Sequence, residues 1–501
     1  MDMYIIAHDL GTSGNKATLF TTEGKLVNSC TYEYGTRFFN GNWAEQNPNN
    51  WWEAFCCTNR MLLKGIDKSK VAVVSFSGQM MGCVCVDRKG EALSNAIIWA
   101  DQRSTKEEEY LKNKIDELEF YRLVGHKISS SYSLEKLMWI RNNKPDIYNL
   151  TYKMLLPKDY LIYKLTGEFV TDYSDASGTN AFDLINLKWS EKIIETAEVE
   201  LSKFPEALPS TTVAGEVSKY IAEESGLAAG TKVVIGGGDG VCATVGAASI
   251  SENVAYNYLG SSSWISYTSK EPVFDDKLRV FNWVHLIPGY YSPTGTMQAA
   301  ANSFNFVKNL LYETDKVDKT DVYKIINNEI EKSKIGANGL LFLPYLLGER
   351  SPRWNPDARG AFIGLKMEHN RGDLIRSTVE GVLMNLNIIL GILNINEQTN
   401  SINVIGGMAQ SDAILKILSE VFGLKVKKLS YLEEATSIGA AVTAGVGSGE
   451  LNDFSEVDKF ISVSEEIVPD MHNNQKYTNI KQVFDNSYHA LLEIYEDLKN
   501  I

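Results

Sequence analysis

Cysteine and histidine are scarce in this sequence, six of each, and neither is spaced to hold a metal. Cys30, Cys56, Cys57, Cys83, Cys85 and Cys242 contain no Cys-x-x-Cys pair and the histidines no His-Glu-x-x-His, so a zinc site built by the protein is not expected. The cysteines sit mostly in apolar surroundings, which suits reduced, buried thiols. Long basic runs are missing too. The 49 Lys and Arg against 63 Asp and Glu leave a net charge of −14, the wrong balance for the phosphate backbone of a nucleic acid. No apolar stretch approaches the ~20 residues of a membrane span, and Tyr4 to Ala7 is far shorter than a signal h-region. A cytosolic protein with no membrane role is expected. A Walker A loop is also absent, because the single Gly-Lys pair, Gly24-Lys25, is followed by Leu26. What remains is a small diffusible partner, and a chain of 501 residues has room for two or three domains around a cleft.

Against these absences stands Asp9-Leu10-Gly11-Thr12-Ser13-Gly14, directly after the strand-like Tyr4-Ile5-Ile6-Ala7. A carboxylate at a strand end followed by a glycine-bearing hydroxyl turn can hold a metal ion beside a triphosphate, since backbone N–H groups then approach phosphate oxygens closely. Asn15 to Phe20 and Lys25 to Thr31 read as the next two strands, so the turn belongs to an antiparallel hairpin. Further along, Val71 to Phe76, Val233 to Ile235 and Ile402 to Ile405 are Val/Ile-rich strands that each run into a glycine-containing loop and a helical stretch, the pattern of an α/β protein. Tyr258-Leu259-Gly260-Ser261-Ser262-Ser263, followed by Trp264 to Thr268, repeats the order of the first hairpin. That echo predicts two related halves, 1–248 and 249–501, joined near residues 247 to 254, each offering a hydroxyl-bearing turn to one triphosphate. Coincidence between two Ser/Gly-rich turns is the alternative.

Gly236-Gly237-Gly238-Asp239-Gly240 follows the strand at 233–235. Three glycines cost backbone entropy, so the main chain there is expected to be approached closely, with Asp239 facing the same place. Asp239 is the candidate general base, accepting a hydroxyl proton as the oxygen attacks a γ-phosphoryl group; an N-cap of the following helix is the other reading. Gly406-Gly407-Met408-Ala409-Gln410 gives a base or ribose room against the backbone, as adenosine sites in open α/β sheets do, or is simply a tight turn. Trp43, Gln79, Trp99, Asp101 and Arg103, each close after or within a predicted strand end, combine ring faces with polar groups that suit a polyhydroxylated ligand; a structural role for any one of them, and an ion pair for Arg103, is the other reading.

These motifs resemble the FGGY family of carbohydrate kinases. The likeness is carried by Ser131 to Asn143, by Gly360-Ala361-Phe362-Ile363-Gly364-Leu365 followed by Asp373 to Glu380, and by Gly348 to Pro352; it extends over residues 3–447. Residues 42–52, 96–103, 156–168 and 171–180 are most similar to the xylulokinase branch. The resemblance implies an actin-like (ribonuclease H-like) ATPase fold of two duplicated domains around a cleft, and transfer of the γ-phosphoryl group of Mg·ATP to a hydroxyl of a ketopentose such as D-xylulose. It also implies that Asp239 is the base and Asp9 an outer ligand of Mg²⁺. Gly11, Thr12, Ser13, Gly260, Ser261 and Ser262 would border the phosphates, and Gly406, Gly407 and Gln410 adenosine. Gln79, Met80, Met81, Trp99, Asp239 and Gly240 would line the sugar pocket. A homodimer is admitted by the same likeness. Met80-Met81 and Gly240 stand where xylulokinases usually have Met-His and Asn, and Ser263 where the second turn usually has Gly. Related kinases for gluconate, ribulose, erythritol or another polyol therefore stay open, as does a nucleotide-gated binding module of actin-like fold.

Overall fold

The computed structural model describes residues 3–312 and 319–500. Compactness divides them into two units: the first comprises the chain up to Ile250 with Thr268–Ser292 and Glu434–Ser462, the second Ser251–Tyr267, Pro293–Glu433 and the chain from Val463.

The first unit is built on β1 (Tyr4–Leu10), β2 (Gly14–Thr21), β3 (Leu26–Glu33), β4 (Val71–Gly78), β5 (Val213–Glu216) and β6 (Lys232–Val234), in spatial order 5-6-4-1-2-3. β1, β2 and β3 form antiparallel hairpins, whereas β1, β4 and β6 run parallel and β5 closes the far edge antiparallel to β6. Position in the sheet matches composition. Ile5, Ile6 and Ala7 of central β1 are fully buried, as expected of a strand covered on both faces, while β3 is the polar, exposed edge. Helices Asp239–Gly246 and Ala435–Ser448 cross so closely that a Cβ on Gly246 would overlap the carbonyl of Ala435, and one on Gly439 that of Cys242. This contact anchors 434–462 in the first unit, and Gly445 also meets the side chain of Ile5.

In the second unit the strands are β7 (Ala255–Leu259), β8 (Ser263–Tyr267), β9 (Tyr291–Met297), β10 (Ser401–Ile405), β11 (Lys425–Leu429) and β12 (Val463–Ile467), ordered 12-11-10-7-8-9. β7, β8 and β9 are antiparallel neighbours, β7, β10 and β11 are parallel, and β12 is antiparallel to β11. Strand for strand this is the order and direction of the first sheet, so the echo between the two turns is a duplication of topology. Helix Arg371–Ile392 is long and apolar enough to cross a membrane, yet 83% of its most apolar window is buried inside the protein, with Arg376 bound to Glu380 and Tyr477.

Candidate functional site

Register gathers the first unit's candidate residues at one end of its parallel strands. Asp9 on β1 lies beside Ser77 on β4, and Gly237 runs alongside Ser77 in turn, so Asp9, Gln79 and Asp239 all emerge at the carboxyl edge, where open α/β sheets bind ligands. Ser77 Oγ donates to one oxygen of Asp9 at 2.9 Å and Thr436 Oγ1 to the other at 2.7 Å. Burial pushes the Asp9 carboxyl upward, opposed by these two hydroxyls and by Lys16. Lys16 is itself paired with Glu434 at 2.9 Å. Beneath the turn His8 is buried and held neutral, its pKa lowered to about 3 by desolvation.

The turn and the expected sugar-side residues form one hydrogen-bonded group. Trp99 Nε1 donates to Thr12 Oγ1 at 2.8 Å, Gln46 Nε2 donates to the Thr12 carbonyl at 2.6 Å, and the Ser13 carbonyl accepts from the Tyr34 amide at 3.1 Å. Gln79 donates its amide to the Leu10 carbonyl at 2.9 Å and its side chain to Gln46 Oε1 at 2.8 Å. Its Oε1 is buried with no hydrogen-bond partner. An orphaned acceptor of that kind costs free energy until a donor, such as a ligand hydroxyl, satisfies it. Met80 packs over Gly238, 2.5 Å from where a Cβ would stand. Met81 holds a left-handed backbone at φ 61°, and its carbonyl accepts from Lys136 Nζ at 2.7 Å. Lys136 is buried, and desolvation lowers its pKa to about 7.

Asp239 is the first residue of its helix, with Gly238 as the N-cap, so the capping alternative falls away. Its carboxylate accepts from the Gly240 amide at 2.7 Å. Burial first and the charge of Asp9 second raise its pKa to about 7. The preceding glycines are approached closely, as expected. What approaches them is protein: the Phe76 carbonyl at Gly236, the Ser174 hydroxyl at Gly237, Met80 at Gly238. Gly240 alone faces open space, with nothing within 4 Å of a Cβ built there.

Asp101 and Trp43 do not serve as the ligand contacts expected of the set, and for Arg103 the ion-pair reading holds. Arg103 is buried against Asp101 at 2.6 Å and Glu45 at 2.9 Å, with its guanidinium 3.9 Å from the Trp43 ring centroid. This is an internal ion network, and of the five-residue cluster only Gln79 and Trp99 reach the turn. Thr436, Ser77 and Gln46 were missed by sequence reasoning, because each meets the turn through contacts distant in sequence.

In the second unit, Tyr258 and Ile405 are register partners, which brings Leu259-Gly260 alongside Gly406-Gly407 at the strand ends. The Tyr258 ring folds over Gly260, where a Cβ would overlap it. Carbonyls of Gly260 and Ser261 accept the amides of Ala301 and Ala300 at 2.9 and 3.0 Å, at the start of helix Ala301–Tyr312. Ser261 is exposed and Ser262 half-buried, whereas Ser263 turns inward and donates to the Tyr258 carbonyl. Gly406, at φ 98°, leaves no room for a side chain, since the Leu259 carbonyl lies 2.6 Å from a Cβ built there. Gly407 and Gln410 are exposed around it. No group of three or more His, Cys, Asp or Glu among the described residues is placed to hold a metal. Asp9, with both oxygens already accepting hydroxyl protons, fits a cation that keeps its waters and arrives with a phosphate ligand.

Residues 4–246 match the N-terminal domain of the FGGY family of carbohydrate kinases, and residues 255–448 match its C-terminal domain. The chain belongs to this family. A xylulose kinase of Staphylococcus epidermidis is 32% identical over 503 aligned residues, spanning 99% of each chain. A gluconokinase of Bacillus subtilis is 28% identical, spanning 99% of this chain and 98% of its own. Among solved structures, ligand-bound xylulose kinase from Lactobacillus acidophilus superposes with a TM-score of 0.92 at 26% identity, covering 99% of this chain and all of that one. The kinase is thus a sugar phosphotransferase of the two-domain actin-like ATPase fold.

Proposed function

We propose that this kinase transfers the γ-phosphoryl group of Mg·ATP to a hydroxyl of a ketopentose in the cytoplasm, with D-xylulose, giving D-xylulose 5-phosphate, as the substrate. The observation that carries the reading is Asp239: a half-buried carboxylate at a strand end, pushed to about 7 by burial and by Asp9, in the range suited to a general base at neutral pH. The sugar hydroxyl gives its proton to Asp239 as its oxygen bonds to the γ-phosphorus, and the bond to the β-γ bridging oxygen breaks to release ADP. Mg²⁺ would come with the nucleotide, supplying charge neutralisation, and Asp9 would order its water shell. Gly11, Thr12, Ser13, Gly260, Ser261 and Ser262 would serve the phosphates, and Gly406, Gly407 and Gln410 the adenosine. Gln79, Met80, Met81, Trp99 and Gly240 would border the sugar.

A neutral sugar is favoured over a sugar acid because Arg103 is spent on Asp101 and Glu45, and Lys136 on the carbonyls of Met81 and Ser131. A kinase for gluconate, ribulose, erythritol or another polyol is the second reading, favoured by Met81 and Gly240, which bring no hydrogen-bonding side chain. ADP release across a panel of these sugars separates the two: xylulose should give the highest kcat/KM. Asp239→Ala should lower kcat by about 10²–10⁴-fold while ATP binding, followed by calorimetry, is retained. Unchanged turnover in that variant would remove Asp239 from the mechanism.

A further inference from the structure

The segments at 156–168 and 171–180, singled out by resemblance but given no part in the chemistry so far, fold into the underside of the Asp239 turn. Lys158, Asp159, Asp172 and Asp175 are all fully buried. Lys158 Nζ lies 2.6 Å from Asp159, 2.9 Å from Asp172 and 3.3 Å from Asp175. Three carboxylates around one ammonium are a poor way to stabilise a core, since the desolvation of each ion offsets most of the attraction. Their geometry has a direction, however. With one oxygen on Lys158, Asp172 turns the other to three donors: the Ser174 amide at 2.8 Å, the Ser210 hydroxyl at 2.7 Å and the Ser174 hydroxyl. The single proton of Ser174 Oγ is thereby committed to Asp172, and its lone pairs accept the amide of Gly238 at 3.0 Å. Gly238 immediately precedes Asp239, and Ser174 Oγ also fills the space beside Gly237, 2.8 Å from where a Cβ would stand.

We propose that Ser174, oriented by Asp172, is a positioning residue that ties down the Gly238 amide and so sets the stance of the Asp239 carboxylate. The proposal rests on the reading of Asp239 as the base. Linked hydrogen bonds polarise one another, so the charge of Lys158 is relayed through Asp172 to the hydroxyl that grips the turn. Ser210 supplies the internal comparison. Its hydroxyl bonds the same Asp172 oxygen, but it touches the glycine turn only through its backbone carbonyl, which accepts from Gly236 and survives mutation.

Ser174→Ala and Ser210→Ala each delete one hydroxyl from the same buried carboxylate, and both should lower the melting temperature to a similar extent. Only Ser174→Ala should lower kcat, on the order of ten- to a hundredfold, the scale on which misplacing a reacting group is felt. Its KM for ATP should stay at the parental value, and kcat of Ser210→Ala should stay close to the parent. Equal losses of kcat in the two variants, or parental kcat in Ser174→Ala, would overturn the proposal. Should Ser174→Ala fail to fold, the near-isosteric Ser174→Cys gives the same comparison, because a thiol is a weak acceptor, and parental kcat in that variant would likewise sink the idea. Asp239→Asn run in parallel distinguishes the two layers: if it keeps turnover the base assignment fails, and if it is inactive while the two serine variants behave alike, only the positioning role fails.

Discussion

A carboxyl that titrates near neutrality is half-ionised where most kinases work, and only the ionised form of Asp239 accepts a proton. Below its folded value of about 7 the protonated form dominates, so kcat/KM should fall roughly tenfold per pH unit on the acid side and level off above it. Part of the elevation comes from Asp9, so Asp9→Asn should move that limb to lower pH, whatever else it does to rate; a pH profile of residual turnover reads both effects. A limb unmoved by Asp9→Asn would leave burial as the sole cause. Asp9 and Asp239 stand out in the sequence as candidates because each adjoins a glycine-rich turn at the end of an apolar strand. The same rule fails for Trp43 and Asp101, and for Arg103 the ion-pair reading holds. Placement after a strand does not say which way a side chain points, and Arg103 turns inward to two carboxylates and a ring.

The crossing of helices Asp239–Gly246 and Ala435–Ser448 supports this site from behind, and it brings Thr436 to Asp9. Replacing an exposed mid-helix glycine by alanine normally stabilises a protein, by up to about 1 kcal/mol. At Gly246 or Gly439 the sign should reverse. A Cβ there overlaps a backbone carbonyl of the facing helix, so Gly439→Ala should destabilise by about 1–3 kcal/mol, seen as a lower denaturation midpoint, and should loosen the grip of Thr436 on Asp9. A variant as stable as the parent would contradict the close crossing. The sequence Ala435 to Ser448 carried no helical period because the helix is buried on nearly every side, from Ala435 through Gly445; an amphipathic stripe arises only when one face meets water. Helix Asp412–Phe422, which has such a stripe, stands where a helical stretch is expected after the strand at 402–405 and its glycine-containing loop.

Across the whole chain, the duplication was visible only as two short turns, and the equivalence of twelve strands needed the register. The chain first leaves the first unit within the expected join near residues 247 to 254, but its return at 434–462 carries no signal in the sequence, since long-range packing leaves no local pattern. A fragment ending at residue 248 would lack the helix that covers β1 and β4, exposing Ile5 and its neighbours, which are fully buried in the intact chain. Such a fragment should show poor chemical-shift dispersion by NMR and no cooperative melting, whereas a sharply melting fragment would show that the first unit does not need its late segment.

The two related turns differ at one point with consequences for how this molecule can change. At Gly14 the Tyr32 carbonyl of β3 stands 2.8 Å from where a Cβ would be built. At the equivalent Ser263 the side chain has its own berth beneath Tyr258. The repeated turn is therefore asymmetric in what it permits: one copy leaves no room for a side chain, the other houses one, and a residue traded between them would be accepted in one direction only.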